Sequence, residues 1–384
     1  MDRSTPSMTL GLPRMRKEVG ERRDFLPSLV RTVTDLGARV FVESGIGSGM
    51  GYEDRHYLDV SPLVRVVGNR EAYGQDVVLT LRAPEGEFEK VRPGAALISM
   101  LHFATRPHRV QRLAELGIEA ISLDSIADDQ GRRLVENLRS VAWNGIEAAF
   151  DALERTYPAL ADPARAPVVA TVLGAGGVGR HAVEAATKYG RPERADTFAA
   201  RGLRGVEVVT CGRNLTGDEE YMRRRLQSTD VLVDATQRHD PSVPIVPNDW
   251  IDCLPEHAVI CDLVVDPYLL HESPPTVRGI EGIPQGNLDR YVFGPDDPAW
   301  DQVPLEVPNR NRRTVASCYS WPGVHPLACM ELYGSQLASC LTTLFRHGGV
   351  DGLDPSGEYL ERALYRATLR AWLAQQTPLA GAPA

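Results

Sequence analysis

No uninterrupted apolar run in this chain approaches the ~20 residues that cross a bilayer, so no membrane-spanning helix is expected. Behind Met1-Asp2-Arg3-Ser4-Thr5-Pro6 there is no apolar core of the kind that marks a secretory leader, so the expected location is the cytoplasm. Cysteine is sparse: six residues, Cys211, Cys253, Cys261, Cys318, Cys329 and Cys340, none in C-x-x-C and none alternating with histidines at zinc spacing. That argues against a disulfide framework and a zinc site, and predicts scattered free thiols and no bound metal. Positive charge is in deficit, with 42 Lys and Arg against 51 Asp and Glu and a net charge of −9. Neither nucleic acid nor an anionic membrane is therefore expected as a partner. The composition that remains, 43% hydrophobic and 24% charged over 384 residues, describes a globular protein with room for two domains.

The most informative stretch is Val169-Ala170-Thr171-Val172-Leu173-Gly174-Ala175-Gly176-Gly177-Val178-Gly179-Arg180-His181. A short apolar run predicts a buried strand, and the helix-like His181–Tyr189 follows the glycines. A lone G-x-G-x-x-G is weak evidence; one between a strand and a helix predicts a dinucleotide site. Gly174 allows the tight turn, Gly176 lets a pyrophosphate approach the backbone, and Gly179 lets the helix pack against the strand. The helix start then offers its unpaired N–H groups to phosphate. The predicted cofactor-binding set is Gly174, Gly176, Gly177, Val178 and Gly179, joined by Arg213 and Thr236 near the ends of later strands.

Short apolar strands alternate with helical patterns along the whole chain, which predicts parallel, doubly wound sheets. Strands are expected at Met8–Pro13, Arg39–Glu43, Asp76–Leu81, Ala95–Leu101 and Ile118–Leu123, and later at Val206–Thr210, Val231–Asp234 and Val259–Val265. Arg133 to Leu153 has few breakers and an apolar stripe, and predicts a long helix joining two domains. Tyr157 to Pro167 holds three prolines and predicts a linker. Residues 277–313 are rich in Pro, Gly, Asp, Asn and Arg and predict mainly irregular structure; so long a loop is usually functional or mobile. Helices are expected at 326–346 and 357–374.

Several separated motifs fall into one order. They are Lys17-Glu18 with Glu21-Arg22-Arg23-Asp24-Phe25-Leu26-Pro27, and Glu43-Ser44-Gly45-Ile46-Gly47-Ser48-Gly49 with Asp54 and Tyr57. Then come Asp76–Pro84, Ser99-Met100-Leu101-His102-Phe103-Ala104, Asp262–Asp266 with Glu272, Pro275 and Thr276, and Trp321-Pro322-Gly323-Val324-His325-Pro326. The ordered set resembles the superfamily of alanine dehydrogenases, transhydrogenase alpha subunits and lysine-forming saccharopine dehydrogenases. That resemblance implies an α/β fold of two doubly wound Rossmann-like domains, linked by long helices, with a cleft between them that holds the active site. It implies a discontinuous substrate domain, 1–145 with 326–384, and a nucleotide domain over 146–325. It also suggests a homo-oligomer.

The same resemblance supplies candidates for the chemistry. His102 ends a strand, and an imidazole can give and take a proton near neutral pH, so it is the expected proton carrier; His108 and His325 compete with it. The matched strand usually carries a lysine where this chain has Arg82. Arginine stays protonated, so Arg82 is expected to hold a carboxylate and not to act as a base. Arg22 matches a carboxylate-binding arginine, with its neighbour Arg23 as the alternative. Asp266 is the second expected catalytic residue, and Asp262 is expected to be structural. The strand Val208-Val209-Thr210 runs into Cys211-Gly212-Arg213-Asn214, without the acid that normally holds the ribose 2′-OH of NAD. Arg213 stands where a 2′-phosphate could be bound, which favours NADP(H) over NAD(H). The expected activity is a nicotinamide-dependent oxidoreduction at the C–N bond of an amino acid or opine-like amine, from a small amino- or oxo-acid substrate. The alternative is a non-catalytic nucleotide-binding subunit or redox sensor; Leu123-Asp124-Ser125 and the absent lysine at 82 are compatible with it.

Overall fold

The computed structural model describes residues 8–16 and 18–376; Lys17 of the N-terminal motif lies outside the described residues. The chain divides into two compact units, Met1–Asn137 with His325–Ala384, and Leu138–Val324.

The first unit is built on six parallel strands, β1 (Thr9–Leu12), β2 (Arg39–Glu43), β3 (Val64–Val67), β4 (Val77–Arg82), β5 (Ala96–Met100) and β6 (Glu119–Ser122), in the order β3-β2-β1-β4-β5-β6. Five consecutive residues of β4 are buried, as expected for a strand covered on both faces. The helix Pro27–Thr34 opens on a proline, whose missing N–H costs nothing at that position. It buries Leu29, Val30 and Val33 in the same core as Met330, Leu337 and Leu341 of the helix Pro326–Arg346.

The second unit has β7 (Val168–Leu173), β8 (Val206–Cys211), β9 (Val231–Asp234), β10 (Val259–Asp262), β11 (Val292–Phe293) and β12 (Thr314–Ser317), in the order β11-β12-β10-β9-β7-β8. Among the described residues β11 alone runs antiparallel in this sheet, beside β12. The helix Leu138–Thr156 packs beneath this sheet on small residues, Ala142, Gly145, Ala148, Ala149 and Ala152. A side chain at Gly145 would collide with Leu263.

Both sheets are doubly wound and reverse direction beside their first strand, at β1/β4 and at β7/β9. Ligands of open α/β sheets bind outside the carboxyl ends of the strands at such a reversal. Among the described residues no helix is long and apolar enough to cross a membrane. No group of three or more His, Cys, Asp or Glu among them could hold a metal ion.

Two expected elements are corrected. The long helix starts at Leu138, not at Arg133. Gln336 takes both backbone groups of Glu136, accepting its N–H at 3.1 Å and donating to its carbonyl at 2.9 Å, so those groups are unavailable to a helix. The C-terminal helix expected over 357–374 is two helices, Tyr359–Arg366 and Leu369–Gln376. The break falls where the Ala367 carbonyl accepts the Ser122 N–H and Thr368 bridges Ile121 at the end of β6. Residues 277–313 are largely irregular, yet they are pinned: Asn248 accepts the Asn311 N–H at 2.9 Å, and Arg278 and Trp300 are fully buried.

Candidate functional site

In the first unit the carboxyl edge of the sheet collects the expected substrate residues. Arg82 is the last residue of β4, and the register of β4 on β5 shifts between Leu79 and Arg82. Such irregularities re-aim a side chain and recur beside active sites. Arg82 is partly exposed and pairs with Glu18 at 3.3 Å.

The alternatives Arg22 and Arg23 are separated by burial. Arg23 is 2% exposed and donates to both Glu21 oxygens, at 2.8 and 2.6 Å. Burial pushes the Glu21 carboxyl up, but hydrogen bonding and the charge of Arg23 outweigh it and leave Glu21 below the usual carboxylate range. Arg22 is exposed, with its backbone packed on Gly49, where any side chain would collide.

His102 lies two residues beyond β5 with φ 53°, a left-handed conformation that is costly for a residue other than glycine. The carboxylate of Asp124, just past β6, clamps it twice. Oδ1 accepts the His102 backbone N–H at 3.1 Å, and Oδ2 lies 3.2 Å from Nδ1 of the ring. The Ser122 hydroxyl donates to the same Oδ1 at 2.7 Å. Burial pushes Asp124 up; hydrogen bonds and charge from His102 and the Ser122 bond overcome it and hold the carboxyl far below its ordinary value. With Nδ1–H directed at the carboxylate, Nε2 is the ring atom left to exchange a proton. Asp124 was not among the expected site residues, although its place after a strand end was visible. Of the competing histidines, His108 lies 3.5 Å from Glu85, and His325 is exposed at the start of the helix Pro326–Arg346.

Asp24 holds the loops around Arg22 together. Its Oδ1 accepts the Met15 N–H at 3.0 Å and its Oδ2 the Gly47 N–H at 2.9 Å. Burial pushes this carboxyl up to about 6, against the pull of those donors. The folded state thus holds the proton more tightly than the unfolded chain, and stability from this group falls as pH rises from about 4 to about 6. Asparagine has no such titration. The stability cost of Asp24→Asn should therefore shrink across that window, by about 3 kcal/mol for a shift of roughly two units. Urea unfolding of both proteins at the two ends of the window checks it; a constant difference would contradict the assignment.

In the second unit the glycine loop follows β7. Gly174 has φ 94°, and a Cβ there would lie 2.6 Å from the Ala235 carbonyl oxygen, so the turn requires glycine. A side chain at Gly179 would run into the Gly174 carbonyl, which lets the helix Gly177–Thr187 start close against the turn. Gly176 caps that helix with no side-chain bond, no acidic residue lies in its first turn, and a Cβ at Gly176 would meet nothing within 4 Å. The open space beside Gly176, and the N–H groups of Gly177, Val178 and Gly179, fit a pyrophosphate.

Across the reversal, Thr236 donates its N–H at 3.0 Å and its hydroxyl at 2.7 Å to Asp234 Oδ1. Burial and the neighbouring Asp262 charge push Asp234 upward. Arg213 is exposed and begins a short helix after β8. Asp218, the next acid along the chain, caps the following helix through the Tyr221 N–H. Asp262 is buried and saturated: Oδ1 accepts the Val264 and Val265 N–H groups, and Oδ2 accepts from Arg278 and Ser317. Asp266 follows Val265, whose φ is 56°, and its Oδ2 accepts from Arg238 at 2.6 Å.

Residues 11–142 match the family described as alanine dehydrogenase/PNT, N-terminal domain. The NAD(P) transhydrogenase subunit alpha of Haemophilus influenzae is 24% identical over 367 residues, which cover 88% of this chain and 66% of that protein, so this chain spans just under two thirds of it. The alanine dehydrogenase of Bacillus subtilis is 23% identical over 271 residues, covering 67% of this chain and 71% of that protein. A solved L-alanine dehydrogenase has a TM-score of 0.68 at 20% identity and covers 94% of each chain. A transhydrogenase from Sinorhizobium meliloti reaches 0.57 at 18% identity, covering 87% of this chain and 93% of that one. The resemblance read from the sequence is borne out, and the fold is the two-sheet Rossmann-like fold of alanine dehydrogenase.

Proposed function

We propose that the protein is a nicotinamide-dependent oxidoreductase acting on the C–N bond of an amino acid or an opine-like secondary amine, a reading supported by the match of residues 11–142 to the alanine dehydrogenase/PNT N-terminal domain. The observation that carries this reading is the His102–Asp124 clamp, beside Arg82 on the carboxyl edge of the first sheet. A nicotinamide cofactor, when bound, accepts or supplies the hydride. Gly174, Gly176, Gly177, Val178, Gly179 and Thr236 are the residues that would hold it. Arg82 and Arg22 bind the substrate carboxylate, Arg82 through its planar fork. His102 Nε2 takes up or releases the proton that accompanies oxidation or reduction of the C–N centre. Asp124 fixes the tautomer and stabilises the imidazolium when it forms. Asp266 is the second acidic residue of the reaction.

Turnover tests the reading: NAD(P)H absorbance is followed with the purified protein, pyruvate or 2-oxoglutarate, and ammonia or a panel of amines. Reductive amination of one pair is expected, and oxidation of the product in reverse. No turnover on any pair would leave the second reading, a nucleotide-binding subunit without its own substrate chemistry. The broad likeness to the transhydrogenase subunit and the absent lysine at position 82 favour that alternative.

The cofactor is proposed to be NADP(H), because an exposed arginine follows β8 and the nearest acid is used as a helix cap. Arg213→Ala should weaken NADPH binding by about 1.5–3 kcal/mol, as for a lost hydrogen bond to a charged group, and leave NADH nearly unchanged. Fluorescence titration with both cofactors measures it; a wild-type preference for NADH would reject the assignment.

A further inference from the structure

The loop after β9 contains an arginine that neither the glycine motif nor the proton-carrier site uses. Arg238 has only 4% of its side chain exposed, and both of its terminal nitrogens are fully engaged. Nη1 donates to the carbonyls of Pro241 at 3.1 Å and Val243 at 3.0 Å. Nη2 donates to the Val277 carbonyl and to Asp266 Oδ2. Four hydrogens on two nitrogens meet four acceptors, so the fork has no rotational freedom and no terminal donor left for a ligand. Three acceptors are neutral carbonyls. Asp266 is the one carboxylate this charge pairs with among the described residues.

Asp266 is held differently. Its side chain is 34% exposed, Oδ2 is taken by Arg238, and Oδ1 makes no hydrogen bond among the described residues. The backbone before it is fixed as well, since Asp262 accepts the N–H groups of Val264 and Val265 and Arg278 anchors Asp262. The carboxylate is thus fastened through one oxygen and its preceding backbone, with the other oxygen open.

We infer that Arg238 is the positioning residue of Asp266: it fixes the carboxylate through Oδ2 so that Oδ1 is presented, as a stationary negative charge, to the positive charge of the reacting C–N centre. This rests on the proposed C–N chemistry and deepens it. Asp266 then acts by electrostatics from a fixed place, the arrangement in which a charge is most effective because it need not reorganise, and His102 remains the proton carrier.

The test is a double-mutant cycle on the full-length protein, with kcat, KM and the NADPH dissociation constant measured for wild type, Arg238→Met, Asp266→Asn and the double variant. A misplaced catalytic group costs about 10²-fold in rate. Arg238→Met should lower kcat by about that factor, with the NADPH dissociation constant near wild type. The double variant should be no slower than Asp266→Asn alone, because Arg238 acts through Asp266. Arg238→Lys should recover part of kcat, since one ammonium keeps the charge but cannot reach four acceptors. It also serves if Arg238→Met fails to fold. Wild-type kcat in Arg238→Met overturns the inference and leaves the C–N reading standing. So does a double variant slowed by the product of the two single factors, which would make Arg238 a loop anchor only. Wild-type kcat in Asp266→Asn removes both residues from the reaction. Absence of turnover in the wild type sinks the C–N reading and this inference with it.

Discussion

His102→Ala lowers kcat by about 10²–10⁴, the range for loss of a general acid–base group, and the pH profile of kcat/KM loses one limb. The position has its own hazard, because its backbone is left-handed at φ 53°. His102→Asn is the sharper variant: asparagine tolerates that conformation but cannot shuttle a proton near neutrality, so a comparable loss isolates the imidazole. Asp124→Asn should reduce kcat as well, since Nδ1 then loses the carboxylate that fixes its tautomer. Arg82→Ala should behave differently, raising KM for the carboxylate substrate with a smaller effect on kcat. Arg82→Lys should restore part of the affinity, because charge survives while the fork does not. If the pH limb persists in both His102 variants and kcat stays near wild type, the histidine is structural and His325 or Asp266 becomes the leading proton carrier.

Gly176→Val abolishes cofactor binding and leaves the fold intact. The residue sits at φ −71°, which valine adopts, and the space its side chain would enter is empty of protein atoms. That space is where a pyrophosphate would lie against the helix start, so a branched side chain blocks the ligand without straining the chain. Gly174→Val is the contrasting variant. At φ 94°, with the Ala235 carbonyl in the way, it should lower the melting temperature as well as binding. Normal NADPH titration by Gly176→Val, with unchanged far-UV circular dichroism, would remove the glycine loop from the nucleotide site.

What the sequence made legible is local. The strand, glycines and helix of residues 168–187 are contiguous, and the turn demands glycine for reasons that hold within a few residues. The parallel sheets were legible from mostly apolar runs such as Val77–Leu81. β3 and β12 were not, each being four residues with no distinguishing pattern. Spacing back from Pro27 favoured Arg22 over its neighbour Arg23; that Arg23 is buried against Glu21 while Arg22 is exposed was not legible. Partnerships across the sheet were beyond reach. Asp124 meets His102 only because β5 and β6 are neighbours, and Arg238 meets Asp266 across the loops that follow β9 and β10. Such pairs depend on strand order, and strand order is a property of the assembled fold.

The division at Asn137 and Val324 has a consequence for how the chain is made. A ribosome releases a chain from its N-terminus, and domains usually fold in that order. Here the first unit cannot finish first. The helix Pro326–Arg346 that supplies Met330, Leu337 and Leu341 to its core emerges only after all of Leu138–Val324 has been synthesised. The inserted unit has every strand of its own sheet by Ser317 and can close while the earlier residues still wait for their last helices. Through that interval a six-stranded sheet that lacks its covering helix is held open, with apolar residues exposed, on the nascent chain. It is at this stage, and not in the finished protein, that a chaperone would find the most to hold.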